Sequence, residues 1–257
     1  MLTRLELTKE LVDLNSLAAQ ETLQRLERQD LPDLKTGPLY FVAKRWLDWF
    51  GAALLLLLSL PLSIVIAILI KIETPGPVFF TQERIGSRRR YKNGTLAWEI
   101  RTFRVYKFRT MFHNSDQSLH IDYIRAFAQN RAERSTEPGA QFKLCNDPRI
   151  TRIGRILRRM SLDELPQLLN ILRGEMSLVG PRPVPIYEVA EYKPEHWQRM
   201  AALPGLTGLW QISARSQVPF DEMIRLDLEY VRRQSIWFDF KILLGTIPAV
   251  LLCRGAK

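Results

Sequence analysis

The sequence predicts a helix-dominated α+β protein with an N-terminal re-entrant membrane helix, a small β-hairpin region and amphipathic interfacial helices. Three observations predict it. The first is an apolar run from Trp46 to Ile72 in which Asp48 is the only charge ahead of Lys71. The second is strand-like alternation of apolar and basic residues from Phe103 to Phe108, preceded by the turn signal Asn93-Gly94. The third is a set of segments with helical apolar spacing, bounded by caps, glycines and prolines.

The chain has 257 residues, 46% of them hydrophobic, with a net charge of +10. That length suits one domain with attachments, or two small ones. The positive surplus points to nucleic acid, an anionic membrane surface or phosphate-rich substrates. Cys145 and Cys253 lack partner spacing, so neither a disulfide framework nor a zinc site is implied. His113, His120 and His196 form no metal-ligand pattern. These counts suit a reducing cytosolic face. The first residues alternate charged and apolar groups, so no secretory signal peptide is expected.

Taken in order, residues 3 to 29 read as an amphipathic helix. Thr3 and Glu6 make a capping box, and Leu7, Leu11, Leu14 and Ala18 share one face. Such a helix packs on a neighbour or forms a coiled-coil dimer contact. Pro32, Gly37 and Pro38 then mark a linker.

The apolar run of roughly 27 residues would be about 40 Å long as a helix, enough for a tilted bilayer span. Two features favour a re-entrant helix instead. Pro61 lies mid-run between Ser59 and Ser63, where it removes a backbone hydrogen bond and can bend the helix. Both flanks are also basic, with Lys44 and Arg45 before the run and Lys71, Arg84, Arg88, Arg89 and Arg90 after it. A span should show charge asymmetry, which a helix returning to its own leaflet does not need.

Thr74-Pro75-Gly76-Pro77 reads as a rigid connector and Val78 to Gln82 as a strand. Residues 113 to 145 are polar and read as a mobile helical insert. Ser161 and Glu164 form a capping-box pattern that opens a helix continuing through Gln167 to Leu172, ended by Gly174. Val179-Gly180-Pro181-Arg182-Pro183 is a stiff loop, and helices are expected at 185–202 and 219–233. Ile236 to Cys253 is apolar but interrupted by Asp239, Lys241 and Pro248, which suits a helix lying along a membrane surface. The chain thus divides into an amphipathic helix and linker (1–38), a membrane helix (44–73) and a main domain (74–257).

The candidate chemistry lies at Ser161-Leu162-Asp163-Glu164-Leu165-Pro166, with Arg152, Arg155, Arg158 and Arg159 just upstream. On a helix, adjacent side chains diverge by roughly 100°. One carboxylate can then attack while the other holds a metal, and the arginines suit a substrate with several negative charges. The plain alternative is that both acids merely complement a helix dipole.

Several ordered segments resemble the bacterial sugar transferase family, the monotopic polyprenyl-phosphate phosphoglycosyl transferases. They include Lys44-Arg45-Trp46-Leu47-Asp48, Pro75-Gly76-Pro77-Val78-Phe79-Phe80-Thr81-Gln82, Tyr106-Lys107-Phe108-Arg109-Thr110-Met111 and Asn146-Asp147-Pro148-Arg149-Ile150-Thr151. Ser161-Leu162-Asp163-Glu164-Leu165-Pro166-Gln167, Met176-Ser177-Leu178-Val179-Gly180-Pro181-Arg182-Pro183 and Pro204-Gly205-Leu206-Thr207-Gly208 complete the set. The resemblance runs from about Lys44 to Cys253.

It implies a cytosolic catalytic core at the bacterial inner (cytoplasmic) membrane. Its reaction transfers a sugar-1-phosphate from a nucleotide sugar, expected to be a UDP-sugar, to polyprenyl (undecaprenyl) phosphate, with Mg²⁺ and release of UMP. Asp163 takes the place of the family's nucleophile, which forms a phosphosugar intermediate, and Glu164 that of the metal-serving neighbour. The family's re-entrant helix bends at a Ser-Pro pair, whereas here Leu60 precedes Pro61 and the serine is Ser59. The hairpin at 86–103 is longer than the family's usual loop. The short polar N-terminus matches the small, catalytic-core form. By position, Arg158, Arg182 and Arg215 are expected to contact phosphate, with Lys107 and Arg109 on substrate phosphate or lipid headgroups. Anionic membrane lipid is an expected partner. For an isolated arginine, a solvated surface charge is the alternative role.

Two other readings of the whole chain are a noncatalytic, basic membrane-surface scaffold and a nucleic-acid-binding protein. The second leaves the apolar run unexplained and lacks a recognition module, so no nucleic-acid partner is expected. An ordinary metal-dependent glycosyltransferase would show an Asp-x-Asp motif, and none occurs.

Overall fold

The computed structural model describes residues 31–32, 37–92, 95–115, 118–129, 147–213 and 218–251. The expected N-terminal helix at 3–29, the dimer contact assigned to it, the Asn93-Gly94 turn, Arg215 and both cysteines lie outside these residues.

A short strand β1 (Leu31–Pro32) precedes one long helix, α1 (Pro38–Glu73). The helix starts earlier than the apolar run because Pro38 occupies its first turn, where a missing N–H costs nothing. It continues unbroken with Pro61 inside it, so the proline does not divide it into two helices. Most of α1 faces outward: only 11% of its most apolar stretch is buried in the protein, unlike a soluble core helix. An open apolar surface of this length marks a membrane contact.

Both ends of α1, by contrast, are tied down. Lys44 Nζ pairs with Asp239 at 2.8 Å and donates to the Val179 carbonyl at 3.0 Å. Asp48, the charge inside the apolar run, accepts from Ser177 Oγ at 2.9 Å and Leu178 N at 2.8 Å. At the other end, Glu73 accepts from the backbone N–H groups of Arg152 and Ile153.

The hairpin is longer than the sequence suggested: β2 (Phe79–Lys92) and β3 (Thr95–Phe108) are 14 residues each. They pair antiparallel, with Gln82 opposite Val105 and Arg84 opposite Phe103. β1 flanks β3, and β5 (Val184–Pro185) flanks β2. A second, parallel sheet pairs β4 (Ser177–Val179) with β6 (Gly205–Thr207). Helices α2 (Ser118–Ala128), α3 (Arg152–Arg159), α4 (Leu168–Arg173), α5 (Leu209–Ser213), α6 (Phe220–Arg233) and α7 (Ile236–Leu251) complete the α+β fold. Trp98, Phe103, Leu168, Ile171 and Tyr230 form the main core, where hairpin, α4 and α6 meet.

Two helix expectations change form. Residues 185–202 form two 3₁₀ helices, Ile186–Glu191 and Pro194–Met200, separated by Tyr192 and Lys193. The segment after Ser161 is also 3₁₀ (Leu162–Gln167) before α4 takes over. Ser161 does not cap it. Its backbone is left-handed (φ 56°) and its side chain makes no cap bond. Pro166 explains part of this, since it lacks the N–H that an α-helix would use there. Along α7, Trp237, Phe240, Leu244 and Ile247 are exposed at helical spacing, giving one open apolar face.

Candidate active site

Asp163 and Glu164 sit in the first turn of the 3₁₀ helix, between α3 and α4. Left-handed Ser161 sits immediately before that helix, and a non-glycine residue held there stores roughly 1–3 kcal/mol of strain. Such strain persists only where surrounding contacts fix it. Here Ser161 N bonds the Arg158 carbonyl, and Glu164 N bonds the Ser161 carbonyl.

The two carboxylates have different cationic neighbours. Glu164 Oε1 accepts from Lys107 Nζ at 2.7 Å and from Arg182 Nη1 at 3.4 Å. Lys107 comes from the end of β3 and Arg182 from the Gly180-Pro181-Arg182-Pro183 loop after β4. Burial lowers the Lys107 pKa below the ordinary lysine value, opposed by the charges of Glu164 and Asp163. Arg158, near the end of α3, is likewise lowered by burial and supported chiefly by Asp163. Its Nε donates to Thr110 Oγ1 at 2.8 Å. Five of the expected residues therefore gather around the turn: Glu164 with Lys107 and Arg182, and Asp163 within the field of Arg158 and Lys107.

The surroundings hold these groups in place. Thr151 N donates to the Thr110 carbonyl, and Gly154 approaches that carbonyl so closely that an added Cβ would lie 2.0 Å from its oxygen. Gly180 and Gly205 similarly let two backbones meet, where Gly205 N bonds the Pro181 carbonyl at 2.8 Å. That contact fixes the loop carrying Arg182. Arg199, buried and paired with Asp227, donates to the Arg182 carbonyl at 3.3 Å. Upstream of α3, Arg149 binds Asp147 and holds its carboxyl below the usual range, chiefly through their side-chain hydrogen bonds.

Arg109 stands apart from this group. It is buried, and its guanidinium donates to the carbonyls of Thr74 and Pro75 and to Thr74 Oγ1. It clamps the end of α1 rather than facing the acid pair, because β3 ends at Phe108 and the chain turns there.

Sequence reasoning missed one cation. Arg84 was legible only as a flanking charge, yet the strand register places it on the same hairpin face as Lys107. Its signal in the sequence is the alternation Phe80, Gln82, Arg84, whose cross-strand partners are Lys107, Val105 and Phe103.

Residues 39–253 match the family model described as Bacterial sugar transferase. The exopolysaccharide production protein ExoY of Rhizobium meliloti (strain 1021) is 43% identical over 223 residues, covering 85% of this chain and 90% of that protein. The galactosyl transferase CpsE of Streptococcus agalactiae serotype III (strain NEM316) is 41% identical over 219 residues, covering 85% of this chain and 44% of CpsE. The undecaprenyl-phosphate galactose phosphotransferase of Salmonella typhimurium (strain LT2) is 38% identical over 213 residues, covering 83% of this chain and 41% of that enzyme. The chain thus spans most of ExoY and less than half of the other two.

Proposed function

The chain belongs to the bacterial sugar transferase family, and from that premise we propose that it is a membrane-bound phosphoglycosyl transferase. It moves a sugar-1-phosphate from a UDP-sugar to undecaprenyl phosphate at the cytoplasmic face of the inner membrane. Both the enzyme class and the acceptor accord with the relative named as an undecaprenyl-phosphate galactose phosphotransferase. The relative named as an exopolysaccharide production protein suggests that the lipid-linked product starts a polysaccharide.

The observation that carries this reading is the acid pair on a strained turn with phosphate-compatible cations on both sides. In the first step an Asp163 carboxylate oxygen attacks the sugar-bearing phosphorus. The bond from that phosphorus to the bridging oxygen breaks, and UMP departs with the electron pair. In the second step an oxygen of undecaprenyl phosphate attacks the same phosphorus. The bond to Asp163 breaks, and the carboxylate returns as it began. Lys107, Arg158 and Arg182 hold the phosphate oxygens in position, which is most of what phosphoryl transfer requires of a protein.

Glu164 is a hard oxygen donor beside a site built for phosphates, a donor set that fits Mg²⁺, which binds through one or two carboxylates with phosphate and water. Bound there, Mg²⁺ would neutralise charge on the phosphoryl oxygens. The outward apolar faces of α1 and α7 sit in the lipid, and the basic surplus favours anionic headgroups.

The test is to incubate purified protein with UDP-sugar and Mg²⁺ in the absence of acceptor. One equivalent of UMP and a sugar-phosphate mass increment on the peptide carrying Asp163 are expected. UDP as the nucleotide product, or no adduct, would refute the covalent route. Inert protein that still binds anionic vesicles would favour the scaffold reading.

A further inference from the structure

We infer that Arg84 is a substrate-binding residue, which with Lys107 and Arg182 forms a pocket beside Glu164 for a phosphate group of one of the two substrates. This rests on the transferase reading above and adds a residue to it.

The pocket is lined by Arg84, Val105, Lys107, Glu164, Gln167 and Arg182, among others. Arg84 is anchored entirely by neutral groups. Its Nη1 donates to the Pro183 carbonyl at 3.1 Å and its Nη2 to Gln82 Oε1 at 2.7 Å. Gln82 is itself oriented, because Tyr187 hydrogen-bonds the same amide. Among the described residues no carboxylate lies within 4.0 Å of Arg84. Arg109 is also held by neutral groups but does not line the pocket, whereas the buried Arg199 is held by acids. Arg199 pairs with Asp227 and with Glu188 at 3.7 Å.

Among the described residues, Arg84, Lys107 and Arg182 line the pocket with one carboxylate, Glu164. Arg182 and Arg84 each disfavour the Lys107 cation, and burial together with Arg182 disfavours the Arg84 cation. Among the described residues lining the pocket, three cations meet one carboxylate, with Asp163 and Glu188 acting from outside the lining, so the lining itself is cationic and suits a phosphate. A planar guanidinium fixed at two donors presents its remaining edge in a set direction, which suits a phosphate oxygen. The phosphate is either the nucleoside phosphate that leaves or the lipid phosphate that attacks next.

Two measurements on the full-length, detergent-solubilised protein test this. The first follows each half-reaction in Arg84→Gln and Arg84→Lys variants. Slower adduct formation from UDP-sugar, by roughly tenfold or more in kcat/KM, assigns the nucleoside phosphate. Normal adduct formation with slow transfer to undecaprenyl phosphate assigns the lipid phosphate. Arg84→Lys is expected to fall between Arg84→Gln and wild type, since it keeps the charge and loses the fork. Wild-type rates in both half-reactions overturn the inference.

The second measurement needs neither folding of a variant nor turnover. Wild-type protein is treated with an arginine-selective dicarbonyl, and modification is mapped with and without inorganic phosphate, UMP or a short polyprenyl phosphate. Protection of Arg84, with exposed Arg88 as the unprotected control, supports the pocket. Arg84 modified equally under all conditions overturns it. A wild-type protein that forms no adduct, yet shows protected Arg84, would sink the covalent transferase reading and leave the phosphate site standing.

Discussion

Lys107 Nζ lies 2.7 Å from Glu164 Oε1, and this single contact joins the end of the long hairpin to the turn that carries both acids. Neither partner is open to bulk water, with side chains 17% and 18% exposed, so solvent screens the pair only in part. The consequence is a cation held in position by the acid beside it, which also opposes the effect of burial on its charge. Displacing either group would loosen the hairpin from the turn.

Burial of Lys107 gives the proposed reaction an alkaline limit. Burial, opposed by Glu164, lowers the Lys107 pKa from 10.5, so its charge is lost at lower pH than an ordinary lysine's. For a base with a depressed folded pKa, the fold penalises the cation at neutral pH. That penalty disappears as pH rises through the folded value. Activity should therefore fall on an alkaline limb below pH 10.5, over a window in which this group's contribution to stability rises. Lys107→Arg should remove the limb, since arginine does not titrate there. A pH–rate profile checks this, and an unchanged limb in the variant would contradict it.

Asp163→Asn should abolish both adduct formation and turnover, while membrane association stays as in wild type. Glu164→Gln should also cripple the rate, because it removes the carboxylate proposed to hold Mg²⁺ and leaves Lys107 and Arg182 without their charged partner. Radiolabelled sugar transfer into lipid extracts reads both. An Asp163→Asn protein retaining a tenth of wild-type activity would rule out covalent catalysis at that residue.

Much of this site was legible because its residues act through local pattern. Asp163 and Glu164 are adjacent, Arg158 lies one turn upstream on a helix, and Arg182 is pinned between two prolines. What was hidden depends on strand register and chain direction. Lys107 and Arg109 alternate as if on one strand face, but the strand stops at Phe108 and Arg109 turns to the end of α1. Arg84 gains its meaning only from its place opposite Phe103, four register pairs from Phe80–Lys107 and so on the same face. The Ser161/Glu164 pattern announced an α-helix that Pro166 and a left-handed Ser161 convert into 3₁₀ geometry. The fold followed the same rule. The apolar run and the hairpin were readable from periodicity, whereas the ties that Lys44, Asp48 and Glu73 make at the ends of α1 are long-range.

Gly154→Ala separates helix propensity from packing. In an open helix the change would stabilise by roughly 0.5–1 kcal/mol. Here the new methyl would meet the Thr110 carbonyl, and overpacking against backbone costs about 1–3 kcal/mol. Net destabilisation is therefore expected. Since Thr110 Oγ1 holds Arg158, the proposed phosphate contact, the rate should also fall, by roughly ten- to a hundredfold if that contact is displaced. Chemical denaturation and kcat measure the two effects. A stabilised, fully active variant would refute the close approach.

Both ends of α1 are tied to the same part of the protein, which limits how it can meet the bilayer. Its N-terminal part grips α4, through Arg45 donating to the carbonyls of Ile171 at 2.7 Å and Leu172 at 2.8 Å. Its C-terminal end grips α3, through Glu73 accepting from Arg152 N at 2.6 Å. Helices α3 and α4 flank the acidic turn, so both ends of α1 hold the same body. A spanning α1 would place those ends on opposite sides of a hydrocarbon core about 30 Å thick, dragging polar chain through it. We therefore expect both flanks on the cytoplasmic side, with the apolar middle dipping into one leaflet. In a background with Cys145 and Cys253 replaced by serine, cysteines placed at Ser16 and Ser118 should both resist an impermeant periplasmic thiol reagent. Pro61→Leu restores the missing backbone donor and should let a fraction of molecules span, exposing Ser16→Cys alone. If Ser16→Cys labels from the periplasm with Pro61 intact while Ser118→Cys does not, then α1 spans, and the polar ties at its two ends cannot both exist in the membrane.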